Sequence, residues 1–101
     1  MKEKKLTSLL GLAQKAGKIV SGELAVEKAV RAGKAKIVVV ASDSSESTKK
    51  NYHDMAAYYK IPIYEGLSKQ QMGLCIGKAN RAVVAIIDEG FSRIVADALL
   101  Q

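Results

Sequence analysis

Two uninterrupted apolar runs, Ile37-Val38-Val39-Val40-Ala41 and Val83-Val84-Ala85-Ile86-Ile87, constrain this chain more than any other feature. A strand with one face in water places a polar residue at every second position. A run that is apolar at both parities therefore reads as a strand covered on both faces. Strands of that kind need helices above and below the sheet, which points to an α/β architecture.

The remainder supplies those helices. Leu6, Leu9, Leu10 and Ala13 recur at helical spacing, and Gly17 can end that helix in a left-handed conformation. Lys18–Ser21 reads as a short strand. A second helix is expected from about Gly22 to Ala32, with Val26, Ala29 and Val30 inward and Gly33 as its stop. The polar stretch Ser42–Ser47 leads into a third helix through Lys60, with Tyr52, Met55, Ala56 and Tyr59 on one face. Pro62 restarts the chain into a strand at Ile63-Tyr64. Ser68 and Gln71 have capping-box spacing at the start of a fourth helix, which Gly77 should end. Asp88 can cap a last helix with Phe91, Ile94, Val95, Ala98 and Leu99 on its inner face. The order αβαβαβαβα predicts a three-layer α/β/α sandwich on a four-stranded sheet, with residues 1–101 as one domain. Linkers, repeats and low-complexity segments are not apparent.

Charge is distributed unevenly along this framework. Residues 1–36 carry nine Lys/Arg against three acids, which is the whole formal net charge of +6; the remaining residues carry seven of each. A one-sided basic field is the footprint expected for a polyanion, and it also serves solubility alone. The single cysteine, Cys75, fits a reducing compartment. One Cys and one His cannot form the usual zinc centre, so neither metal nor cofactor is expected. Lys15 and Lys18 interrupt the first apolar stretch, and the ~20 apolar residues of a membrane span are not reached. The expectation is a cytoplasmic protein with no membrane partner.

Catalytic readings are weak. His53 lies in a polar helical segment beside Asp54, whose side chain points elsewhere, so a solvated histidine is the simpler reading than a general base. Cys75, between Leu74 and Ile76, reads as a structural thiol. Ser42–Ser47 offers hydroxyls without a base, and Asp88-Glu89 are explained by capping. Gly73 and Gly77 lack the spacing of a phosphate loop and read as a close-packing position and a helix end. One constellation stands out: Lys15 and Lys18, then the turn Ser21-Gly22-Glu23, then Lys28 and Arg31 one turn apart on the following helix. A helix N-terminus offers free amides and partial positive charge to a phosphate. The same residues also read as a solvated helix face, with Glu23 and Glu27 as local partners.

Lys18-Ile19-Val20-Ser21-Gly22, Lys28-Ala29-Val30-Arg31-Ala32-Gly33 and Ala35 through Asp43 together resemble one family closely. Ile61-Pro62, Ser68 through Gly73 and Val83 through Asp88 fit it too. It is the kink-turn RNA-binding superfamily of ribosomal proteins, of the large-subunit seven-Ae and thirty-e types. Leu9 through Ala13 and Gly90-Phe91 look like its small bacterial YlxQ-type branch. The resemblance implies a mixed four-stranded sheet and a non-enzymatic protein that binds ribosomal or other structured RNA, with ribosomal proteins as further partners. It also implies two RNA-docking elements. The first is the start of the second helix, with Gly22, Glu23, Leu24, Ala25 and Lys28. The second is the loop before the last strand, with Lys78, Ala79, Asn80 and Arg81. Lys18 and Arg31 would widen the backbone-gripping edge. Typical members read bases with an Asn-Glu pair where this chain has Leu24-Ala25, which cannot hydrogen-bond a base edge. The alternative on the same scaffold is a protein-interaction module, which a broad apolar surface around Leu24 would favour.

Overall fold

The computed structural model describes residues 2–100. Five helices and four strands alternate: α1 (Lys2–Lys15), β1 (Ile19–Ser21), α2 (Glu23–Arg31), β2 (Ile37–Val40), α3 (Glu46–Tyr59), β3 (Ile63–Glu65), α4 (Lys69–Cys75), β4 (Val83–Ile86) and α5 (Glu89–Leu99). The strands lie in the order β1-β4-β2-β3. β4 runs antiparallel to both β1 and β2, whereas β3 is parallel to β2, so the sheet is mixed.

Both apolar runs form the central pair. Every residue of β2 and β4 is buried, and alternate residues serve opposite cores, as the period of two requires. Ile37, Val39, Val84 and Ile86 face one way, where they pack with Leu6, Leu10, Met72 and Val95 of α1, α4 and α5. Val38, Val40, Val83 and Ala85 face the other way, against Val26, Val30, Tyr52 and Met55 of α2 and α3. The expected three-layer sandwich is the observed one.

Helix starts follow local chemistry. Ser45 Oγ accepts the Thr48 N–H at 3.1 Å at the head of α3. Ser68 Oγ accepts from the Gln71 amide at 3.0 Å, and Gln71 Oε1 accepts from the Ser68 amide at 2.8 Å, completing the capping box of α4. Asp88 Oδ2 accepts the Phe91 N–H at 2.9 Å ahead of α5. Three details differ from the sequence expectation. Ile94 turns outward and is exposed, because Val95 and Ala98 fill the inner stripe of α5. Ile87 lies beyond β4 and is half-buried. His53 is exposed, as expected, but has a partner the sequence did not show: its Nε2 lies 2.9 Å from Glu65 Oε2 at the end of β3, a hydrogen bond that holds the Glu65 carboxyl below its usual range.

Candidate nucleic-acid interface

Unlike α3, α4 and α5, α2 starts without a side-chain cap. Its N-cap is Gly22, with φ 92° and ψ 153°, and without a side-chain cap hydrogen bond. That region of backbone space is essentially closed to residues bearing a Cβ. Val26 is the first amide to find a helical acceptor, Gly22 O at 3.0 Å. The N–H groups of Glu23, Leu24 and Ala25 therefore precede the ladder and face outward with the positive end of the helix dipole. All three side chains are exposed, Leu24 to 83%.

Two bonds fix where this terminus sits. The Gly22 amide donates to Val83 O at 3.0 Å, tying it to the head of β4. From α3, the buried Tyr52 hydroxyl donates to Glu23 O at 2.7 Å. Burial, with the nearby carboxylates of Glu23 and Glu27, pushes the Tyr52 phenol up to about 12.

The loop between α4 and β4 closes on the same place. A Cβ on Gly73 would stand 2.1 Å from Ala79 O, so the loop backbone lies directly on the helix. The Lys78 amide donates to Gly73 O at 2.8 Å and the Arg81 amide to Lys69 O at 3.1 Å. The Lys69 amide in turn donates to Asp43 Oδ1 at 2.9 Å. Arg81 then reaches across: its Nε donates to Ser21 Oγ at 3.3 Å, and its Nη1 to Ala79 O and Asn80 O at 3.3 and 3.1 Å. Between loop and helix lies an open cleft of about 440 Å³ lined by Ser21, Gly22, Glu23, Lys69, Asn80, Arg81 and Ala82.

The structure thus brings Gly22, Glu23, Asn80 and Arg81 together around one cleft. Leu24 and Ala25 follow on the first turn of α2, and Lys78 and Ala79 lie in the loop between α4 and β4; none of the four lines the cleft itself. Lys28 is exposed one turn beyond Leu24, on the same helical face. Lys18 and Arg31 are placed elsewhere. Lys18 precedes β1, where its carbonyl accepts the Ile87 amide, so it stands about 13 Å along the strand from Gly22. Its Nζ lies 4.0 Å from Asp88 Oδ1. Arg31 ends α2, about 12 Å along the axis from Glu23, and its Nε donates to Glu27 Oε2 at 3.0 Å. Arg31 thus has the local partner, Glu27, that the reading as a solvated helix face expected.

Lys69 was not singled out from the sequence. Its place in the cleft depends on the Asp43 contact, which joins residues 26 positions apart and leaves no local pattern. The Cys75 thiol donates to Met72 O, and burial pushes its pKa up, away from reactivity. Among the described residues, His, Cys, Asp and Glu form no group able to hold a metal ion, and no helix is long and apolar enough to cross a membrane.

Comparison with known proteins shows the family. The model of the ribosomal protein L7Ae/L30e/S12e/Gadd45 family matches residues 4–96. An Enterococcus faecium protein named RNA-binding protein YlxQ is 44% identical over 88% of this chain and 85% of its own. Its Bacillus subtilis namesake is 45% identical over 83% of this chain and 84% of its own. Among solved structures, a Bacillus halodurans protein of unknown function superposes with a TM-score of 0.92 at 39% identity, covering 96% of this chain and 98% of that one.

Proposed function

The chain belongs to the ribosomal protein L7Ae/L30e/S12e/Gadd45 family, and from that premise we propose that it is a cytoplasmic, non-enzymatic RNA-binding protein whose residues 1–101 form one domain. Its partner is ribosomal RNA or another structured RNA, with neighbouring ribosomal proteins as its protein contacts. The observation that carries this reading is the cleft, where an uncapped helix terminus and a basic loop meet. The amides of residues 23–25 suit a phosphate. Lys28 and Lys78 supply charge on the two sides, and Asn80 offers donors and an acceptor to an unpaired base. Gly22, having no side chain, lets the RNA backbone approach. Leu24 and Ala25 cannot read base edges, so they pack against a base or ribose by shape.

A protein-interaction module would need a broad apolar surface around Leu24. The exposed helix neighbours of that leucine are Glu23, Ala25 and Lys28, of which only alanine is apolar. RNA is the better fit.

Gel-shift titration against internal-loop hairpins cut from ribosomal RNA, at rising salt, tests the proposal. The expected result is a complex that weakens linearly in log salt and is lost in Lys28→Glu. Failure of any RNA to bind at low salt would overturn it. The single variant is preferred to a double one that includes Arg31→Glu, which would set two acids against each other at positions 27 and 31.

A further inference from the structure

Arg81 has the charge of a phosphate ligand, yet its bonds are those of a brace. Its amide is held by α4 through Lys69 O. Its Nη1 is shared between the carbonyls of Ala79 and Asn80, the two residues immediately before it. Its Nε crosses to Ser21 Oγ, 60 positions away, at the last residue before Gly22. Arg81 thus lines the cleft with its Nε and Nη1 donating to the protein, and the residue is partly buried whereas Lys78 and Asn80 are exposed.

From this we infer that Arg81, with Ser21, is a positioning pair that sets the width of the cleft rather than a direct ligand of the RNA. The inference rests on the RNA-binding reading and adds to it the source of shape selectivity. Glycine at 73 lets the loop lie on α4, which fixes one wall. The uncapped α2 terminus is the other wall, fixed to β4 through Gly22. Arg81 is the side chain that joins them. A slot of fixed width favours structured RNA that fits it, and is indifferent to flexible single strands that contact only the outer lysines. A planar, forked cation is required because a lysine has a single nitrogen and cannot reach Ser21 and both carbonyls in the same way.

Two measurements separate a brace from a phosphate contact. The first is amide hydrogen exchange in the free protein. Ser21→Ala and Arg81→Lys should each speed exchange at the Lys78 and Arg81 amides roughly tenfold, as expected for losing about one hydrogen bond from the closed loop. The second is RNA affinity as a function of salt, for the tightest-binding internal-loop hairpin and for single-stranded poly(U) of equal length. Both variants should bind the hairpin roughly tenfold more weakly with an unchanged salt slope, and poly(U) as wild type does. Unchanged exchange in both variants would overturn the inference. So would a neutral Ser21→Ala together with an Arg81→Gln variant whose salt slope falls by about one, the signature of a lost phosphate contact. If Lys28→Glu binds RNA normally, the reading of the site fails instead, while the exchange result still decides the brace.

Discussion

At the scale of single residues, the glycines at 22 and 73 are required for opposite reasons. Nothing lies within 4 Å of a Cβ built on Gly22, whose φ of 92° is the whole constraint. Gly73 has no such φ, and its added Cβ would strike backbone. Gly22→Ala should cost about 1–3 kcal/mol as backbone strain, and Gly73→Ala a similar 1–3 kcal/mol as overpacking. The two differ in where the damage goes. Gly73→Ala should displace the 77–82 loop, visible as NMR shifts there, and Gly22→Ala should perturb the start of α2 alone. Tyr52 gives a prediction with a pH window. Its phenol ionises near 10 when unfolded and at about 12 in the fold, so its contribution is intact below pH 10 and lost as pH rises toward 12. Tyr52→Phe should lower stability by about 1 kcal/mol at neutral pH, the worth of the hydroxyl bond to Glu23 O. The same variant should flatten the alkaline loss, and urea unfolding from pH 7 to 12 measures both effects.

Among the elements, the helices show which features can be read locally. The capping box of α4 and the Asp88 cap were legible because a cap and its partner amide lie three residues apart. Both central strands were legible from their unbroken apolar runs, and α2 from its inward Val26, Ala29 and Val30. Pairings across the fold left no such trace. His53 with Glu65, Lys69 with Asp43 and Arg81 with Ser21 join different elements, so no spacing announces them. Lys18 illustrates the same limit in reverse. It is four residues before Gly22 in the chain, but an extended strand carries those residues far apart, whereas a helix would have stacked them. Replacing Ser68 by Ala, which removes half of the capping box, should cost about 1 kcal/mol. Because α4 supplies Gly73 and Lys69, the same change should also loosen the loop. Thermal unfolding reads the first effect and exchange at Arg81 the second.

For the molecule as a whole, closeness in sequence does not by itself gather the first-third cations at the cleft. Of the three first-third cations carried forward as candidate contacts, Lys28 lies one turn beyond Leu24 on the exposed face of α2. Lys18 and Arg31 face Asp88 and Glu27. Lys18→Gln should therefore leave RNA affinity within about twofold and the salt slope unchanged, since no phosphate contact is lost. Measuring that slope beside the Lys28→Glu variant separates steering charge from contact charge. The sheet order has a consequence of its own. β4 lies between β1 and β2, so the earlier strands have no shared partner until residue 83 joins them. As the polypeptide is synthesised, β2 and β3 can pair first, but β1 must wait for β4 to be inserted. Vectorial synthesis thus keeps the Ser21 edge apart from the rest of the sheet until its final strand arrives, and a nascent chain stalled before that point would have no assembled groove with which to bind RNA.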